Sequence, residues 1–304
     1  MQTRFVDAGD AKLHVREWGS EGGRPLLFWH ALGDHTSLQL IEAAPILVGE
    51  YGLRVLAVDA PGFGGSPRLA DDRYEMAPLV ELARAALGGL GLERAVWMGS
   101  SWGASLGIHV AAAHPERIEA LALLDGGYQD PPDDLGSSLD EIRDHWRSRP
   151  ELWSYDSWEG IDDDARQYFR RWSPALAESC RSAYREQNGR IVSIMGPDVY
   201  AAATWGVIAS PPAEALPRLG ASGVPVLLLA ATQPPELAER RRPALERFAA
   251  LVPQAELRLV ETMHFVLEDA PEDVARTIGD WLGSRLRGAR ERRKLDDVDE
   301  VVTP

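Results

Sequence analysis

R-A-V-W-M-G-S-S-W-G-A-S, residues 94–105, is the stretch that decides how the rest of the chain is read. Ala95, Val96, Trp97 and Met98 form an apolar run with the length of a short buried strand. Gly99-Ser100-Ser101-Trp102-Gly103 follows, and then an Ala-rich segment of helical character that reaches Ala113. Strand, G-x-S-x-G and helix in that order predict a sharp turn that lifts one serine above the edge of a sheet. Two serines compete for that place. Such a turn crowds together the residues two before and two after the lifted one, so both must be small. Around Ser101 they are Gly99 and Gly103; around Ser100 they would be Met98 and Trp102. Ser101 is the candidate nucleophile. A glycine-rich turn with an incidental serine is the bland alternative, and the weight against it comes from the flanking sequence.

Upstream, residues 5–7 and 13–18 read as a hairpin around Ala8-Gly9-Asp10. P-L-L-F-W, 25–29, is a continuous apolar strand of the kind buried on both faces of a parallel sheet. It runs into His30-Ala31-Leu32-Gly33-Asp34. A helix is predicted over 37–50, a strand over 54–58 ending in D-A-P-G-F-G-G-S (59–66), and a helix over 76–88. Downstream of the central stretch, strand 118–124 ends at Asp125-Gly126-Gly127. After a break, strand 225–231, helix 237–251, strand 256–260, E-T-M-H-F (261–265) and a last helix over 272–286 complete the chain. Strands alternating with helices imply right-handed crossovers and an α/β fold with a mostly parallel sheet. No internal repeat is visible.

The alternation fails over 128–212, which shows no clear buried strand. Asp-, Pro- and Ser-rich stretches there surround amphipathic pieces at 139–147 and 165–172. Five of the ten tryptophans lie in it: Trp146, Trp153, Trp158, Trp172 and Trp205. The region is expected to be a mostly helical insertion over one edge of a core made of 1–127 and 213–286. Trp153, Trp158, Trp172 and Trp205 either line a substrate pocket or pack the insertion onto the core. The charged tail, 287–304, has almost no large apolar groups and is expected to be disordered.

With 304 residues and 45% hydrophobic content, the chain can bury a large single core. A net charge of −15 argues against nucleic acid or an anionic membrane as partner. Cys180 is the only cysteine, which excludes an internal disulfide and a cysteine metal cluster. No apolar run approaches the roughly 20 residues that span a bilayer, and the N-terminus has no charged-then-apolar leader pattern. The expectation is a soluble, cytoplasmic protein acting on a small molecule without metal or cofactor.

A serine hydroxyl needs a base to take its proton, and the base needs a third group to orient it. His264 sits in a short loop after a strand and before the last helix, and is the candidate base. His14, His109, His114 and His145 fall in the hairpin, on or after the helix behind the serine, and in the insertion, where packing or surface roles suit them. For the acid there are two candidates. Asp125 stands at the C-terminal end of the strand after the serine, where groups that act on ligands gather in open α/β sheets. Glu236 follows strand 225–231. A developing oxyanion needs two backbone N–H donors. Trp102, next after the nucleophile, supplies one, and Leu32 in the loop after 25–29 the other; His30 reads as a structural hydrogen-bonding residue.

H-A-L-G at His30, D-A-P-G-F-G-G-S at Asp59, G-S-S-W-G at Gly99 and M-H-F at Met263 together resemble the α/β-hydrolase superfamily in its capped form, over residues 5–286. The resemblance implies a mostly parallel central sheet flanked by helices, a helical cap at 128–212 and a Ser-His-acid triad. Two departures stand out. The usual H-G of the oxyanion loop is His30-Ala31 here, and the usual aspartate after the penultimate strand is missing, which moves the acid to Asp125. An acid in that earlier position is similar to some haloalkane dehalogenases and to zearalenone-type lactonases. The lactonase similarity extends to A-A-T-Q-P-P-E (230–236) and M-H-F. Dehalogenases and epoxide hydrolases of this fold use an aspartate nucleophile, so Ser101 points away from their chemistry. The implied activity is ester or lactone hydrolysis through an acyl-enzyme. The alternatives are an aminopeptidase resembling proline iminopeptidases, whose H-G-G-P-G loop is absent here, and a non-catalytic receptor on a hydrolase scaffold.

Overall fold

The computed structural model describes residues 1–129 and 136–299, with side chains up to residue 285. Strands β1 (Gln2–Ala8), β2 (Ala11–Trp18) and β3 (Arg24–Trp29) open the chain. Helix α1 (Ala43–Tyr51), strand β4 (Leu53–Val58), helix α2 (Met76–Gly89), strand β5 (Ala95–Ser100), helix α3 (Trp102–Ala113) and strand β6 (Ile118–Leu124) follow. The expected helix over 37–50 is split: a single 3-10 turn, Ser37–Leu40, precedes α1.

The inserted region holds α4 (Leu139–Arg147), β7 (Ser154–Tyr155), α5 (Trp158–Ala165), α6 (Pro174–Arg181), β8 (Tyr184–Gln187), β9 (Arg190–Ser193) and α7 (Gly196–Ala209). The core resumes with α8 (Leu216–Ser222), β10 (Val226–Ala231), α9 (Pro235–Leu251), β11 (Ala255–Val260), α10 (Val266–Asp269) and α11 (Pro271–Asp299).

Eight strands form one sheet in the order β1-β2-β4-β3-β5-β6-β10-β11. The β1-β2 and β2-β4 pairs are antiparallel and every other pair is parallel. The β5 strand therefore sits centrally, between β3 and β6. Successive side chains of a strand face opposite sides, and here both sides are covered. Leu27 and Trp29 of β3 join the core layer under α2, α3, α8 and α9. Leu26 and Phe28 join the layer under α1, α10 and α11. That two-sided burial is why these strands read as unbroken apolar runs. Among the described residues no helix is long and apolar enough to cross a membrane.

Besides its helices the insertion carries strands that the sequence did not announce. β7, β9 and β8 form a small antiparallel sheet. Its β8–β9 turn is Asn188-Gly189, both with positive φ (53° and 77°), the backbone that a two-residue hairpin turn demands. The strands are two to four residues long and largely polar, so no apolar run announces them. The amphipathic piece at 165–172 is turn and coil after its first residue; α5 precedes it, started by Ser157, whose hydroxyl accepts a hydrogen bond from the Gly160 N–H. Helix α11 runs past Leu286 into the charged tail. Residues 300–304, with the side chains from 286 on, lie outside the described residues, and so does that part of the expectation of disorder.

Candidate active site

Ser101 follows β5 directly, with φ 49° and ψ −103°, and its N–H donates to the Leu124 carbonyl of the neighbouring strand (2.9 Å). The turn is as crowded as the spacing predicts. A Cβ on Gly99 would lie 2.2 Å from the Gly103 carbonyl oxygen, and one on Gly103 would lie 2.0 Å from that of Trp29. Ser100 points elsewhere. It is 1% exposed, and its Oγ accepts from the Gln39 side-chain amide at 3.2 Å.

His264 lies in the loop between β11 and α10. The Met263 N–H donates to Asp269 there (2.7 Å), and the Gln233 N–H to the Thr262 carbonyl (3.0 Å). Its Nε2 is 2.9 Å from Ser101 Oγ and its Nδ1 is 2.7 Å from Asp125 Oδ2. Asp125, fully buried and at φ 42°, also accepts from the Ala231 N–H (3.0 Å), the Tyr128 hydroxyl (2.8 Å) and the Arg241 guanidinium (3.0 Å). Burial by itself would push this carboxyl up. The hydrogen bond and charge of His264, with the charge of Arg241, outweigh it and hold the carboxyl below the usual carboxylate range. The other candidate acid, Glu236, is exposed in the first turn of α9, away from this hydrogen-bonded chain. Leu32, Trp102, Ser101 and His264 line one cavity of about 300 Å³, together with Tyr200 and Arg241.

Two residues that support the site carry little signal in the sequence. Tyr128 stands three positions after Asp125, a spacing that a turn can close. Arg241 is the middle of an Arg240-Arg241-Arg242 run on an otherwise polar helix and looks like surface charge. Of the four tryptophans considered for a pocket, only Trp153 lines one, a second cavity of about 290 Å³ that Trp146 also lines. Trp158 and Trp172 pack instead on the small core of the insertion formed by Ile161, Leu176 and Ile191. The Arg166 guanidinium lies 4.8 Å from the Trp172 ring. Trp205, half-buried on α7, lines neither cavity. Among the described residues no group of three or more His, Cys, Asp or Glu side chains is placed to hold a metal ion.

A family model for the alpha/beta hydrolase fold matches residues 24–271. The chain belongs to that family. All three members of the hydrogen-bonded chain, Ser101, Asp125 and His264, fall inside the match. Among named relatives, Epoxide hydrolase A of Mycobacterium tuberculosis is 33% identical over 122 residues, which cover 40% of this alpha/beta hydrolase and 37% of the relative. A 2-hydroxymuconate semialdehyde hydrolase of Pseudomonas sp. is 39% identical over 121 residues, covering 40% and 42%. This chain thus spans between 17% and 42% of the length of the curated relatives it matches. The crystal structure of E-2-(acetamidomethylene)succinate hydrolase superposes with a TM-score of 0.74 at 21% identity, covering 93% of this chain and 99% of that one.

Beneath the loop of Leu32 the alpha/beta hydrolase buries His30 completely. Nδ1 donates to the Ala31 carbonyl (2.6 Å) and Nε2 accepts from the Ala60 N–H (3.0 Å), which fixes the neutral Nδ1–H form. Burial pushes its pKa from the usual 6.5 down to about 4, despite the hydrogen bond to Ala31. A depressed histidine stabilises the fold only while the unfolded chain also remains neutral. As pH falls from 6.5 towards 4 the unfolded state takes up a proton that the native state refuses, so stability drops across that window. The expected loss from His30 is at most about 3 kcal/mol. His109, also pushed down to about 4 by burial, adds to it. Urea unfolding between pH 7 and 4.5 should show the decline. A native-state His30 ring resonance that titrates near pH 6 would contradict this account.

Proposed function

We propose that this alpha/beta hydrolase cleaves a carboxylic ester, open-chain or lactone, through an acyl-enzyme. The reading is carried by one observation, the 2.9 and 2.7 Å contacts that run from Ser101 Oγ through His264 to Asp125 Oδ2. In the first step Ser101 Oγ attacks the ester carbonyl carbon while His264 Nε2 takes the hydroxyl proton. Asp125 keeps Nδ1 protonated and stabilises the imidazolium that forms. The carbonyl oxygen becomes an oxyanion, held by the N–H groups of Leu32 and Trp102. Its collapse expels the alkoxide, which leaves as the alcohol with the proton from Nε2. Water then repeats the sequence on the acyl-serine, giving the carboxylate and free Ser101. In a lactone both products stay one molecule.

The inserted region serves as a cap in this reading, because its helix α7 brings Tyr200 and Thr204 to the same cavity as Ser101. The test is a panel of p-nitrophenyl esters, five- and six-membered lactones, and aminoacyl-naphthylamides offered to the purified protein. Turnover of at least one ester or lactone, at a rate well above any naphthylamide, is expected. Turnover of naphthylamides alone would make the chain an aminopeptidase. Saturable binding with no turnover of any class would make it a receptor.

A further inference from the structure

The second cavity lies across Leu32 and Tyr200 from the first, since both residues line both spaces. At about 290 Å³ it stands at the small end of ligand pockets. Three of its walls are rings packed on one another, two pairs edge to face and one tilted. Tyr200 and Trp146 have centroids 4.7 Å apart at 74°, Trp146 and Trp153 are 6.1 Å apart at 81°, and Trp153 and Tyr200 are 5.7 Å apart at 59°. Aromatic side chains lining one cavity are a means by which proteins surround an organic cation.

The charges of the lining agree with the rings. Asp34 and Asp164 contribute carboxylates, and no lysine or arginine is among the described residues of the wall. Tyr184 hydrogen-bonds Asp34, and the Tyr155 hydroxyl donates to Asp164 at 2.7 Å, so both carboxylates are held in place. Burial, with the nearby charge of Asp34 as a smaller cause, pushes both Cys180 and Tyr200 up to about 12.

His35 adds an independent pointer. It is 8% exposed, and neither of its ring nitrogens has a hydrogen-bond partner, although Nε2 stands 3.2 Å from Glu268 Oε1. In the neutral ring whose Nε2–H faces that carboxylate, Nδ1 is a bare lone pair. It lies 3.9 Å from where a Cβ on Gly33 would sit, on the wall of the same cavity. A buried lone pair beside two carboxylates asks for a ligand that donates N–H.

We propose that this cavity binds an organic ammonium group, with Asp34, Asp164 and His35 Nδ1 as acceptors and Trp146, Trp153 and Tyr200 as the surrounding rings. The second half of the proposal rests on the ester-hydrolase reading: the substrate is an ester whose chain carries the ammonium past Leu32 and Tyr200.

Binding is tested apart from turnover. The wild-type protein and Ser101→Ala are titrated with phenethylammonium and with 2-phenylethanol, its neutral analogue, following tryptophan fluorescence. The ammonium should bind at least about tenfold tighter, as a desolvated cation over aromatic faces requires. The Asp34→Asn/Asp164→Asn double variant should lose that margin, and Asp34→Glu should keep it. Equal affinity of the two probes for the wild-type protein overturns the proposal, whether or not the variants fold. An ammonium affinity unchanged in a folded double variant overturns it as well.

Turnover is then compared for the p-nitrophenyl esters of 4-(dimethylammonio)butyrate and 5-methylhexanoate, which differ only by N–H⁺ against C–H. A kcat/KM at least about tenfold higher for the cationic ester is expected. Equal rates overturn the substrate assignment. Preferential ammonium binding with no hydrolysis of either ester, nor of any ester or lactone of the panel, leaves the cation site standing and refutes the ester-hydrolase reading.

Discussion

Ser101→Ala should lower kcat/KM by about 10³ to 10⁶, whereas Ser100→Ala should cost roughly tenfold or less. The two serines are adjacent, so an error in the assignment would be easy to make from the sequence alone. Their environments differ in kind. Ser101 Oγ meets His264 Nε2 at the wall of a cavity, and Ser100 Oγ is sealed in the core against Gln39. Losing the Ser100 hydroxyl leaves the Gln39 amide its bond to Glu268 (2.9 Å), which is why a modest effect is expected. A fluorophosphonate should label wild type and Ser100→Ala, and fail to label Ser101→Ala. Fragment mass spectra that put the label on Ser100 in the wild type would sink the assignment.

Asp125→Asn should lower kcat by about 10⁴ with KM within a few-fold of wild type. Glu236→Gln should change kcat by less than about tenfold, because its carboxylate is exposed and does not take part in orienting His264. The carboxamide keeps the shape of the side chain but turns one acceptor into a donor. It must then face the Ala231 N–H, the Tyr128 hydroxyl, Arg241 or His264 Nδ1–H. Some loss of unfolding free energy is therefore expected as well, on the order of 1–3 kcal/mol. The split between kcat and KM separates lost orientation of the base from a loosened fold, which would raise KM too. If Glu236→Gln were the crippling change, the orienting role would pass to Glu236.

The core was legible because its strands are buried on both faces, and burial on both faces leaves an apolar run that survives in the sequence. Asp125 could be singled out as a candidate because its place at the end of β6 is a matter of chain order. Arg241 could not, since a helix surface rich in arginine says nothing about which one bends inward to a carboxylate 116 residues away. The small sheet of the insertion escaped because its strands are short and polar, although Asn188-Gly189 was there to be read as a hairpin turn. The tryptophans could not be sorted between pocket and packing for a related reason. Trp158 and Trp172 are as large and apolar as Trp146 and Trp153, and which pair faces a cavity depends on how the insertion's own small core forms.

Ser101 and Asp125 share one feature that few residues other than glycine tolerate, a backbone with φ near +45°. Each such conformation costs about 1–3 kcal/mol, in a protein whose whole margin is about 5–15 kcal/mol. Asn188 can be relieved by its hairpin turn, but at these two positions the side chain is what the proposed reaction needs. Natural selection for heat resistance and for turnover would therefore pull against each other at codons 101 and 125. A lineage that lost its substrate would find its quickest gain in stability there, and would leave behind a folded, sturdier and silent descendant.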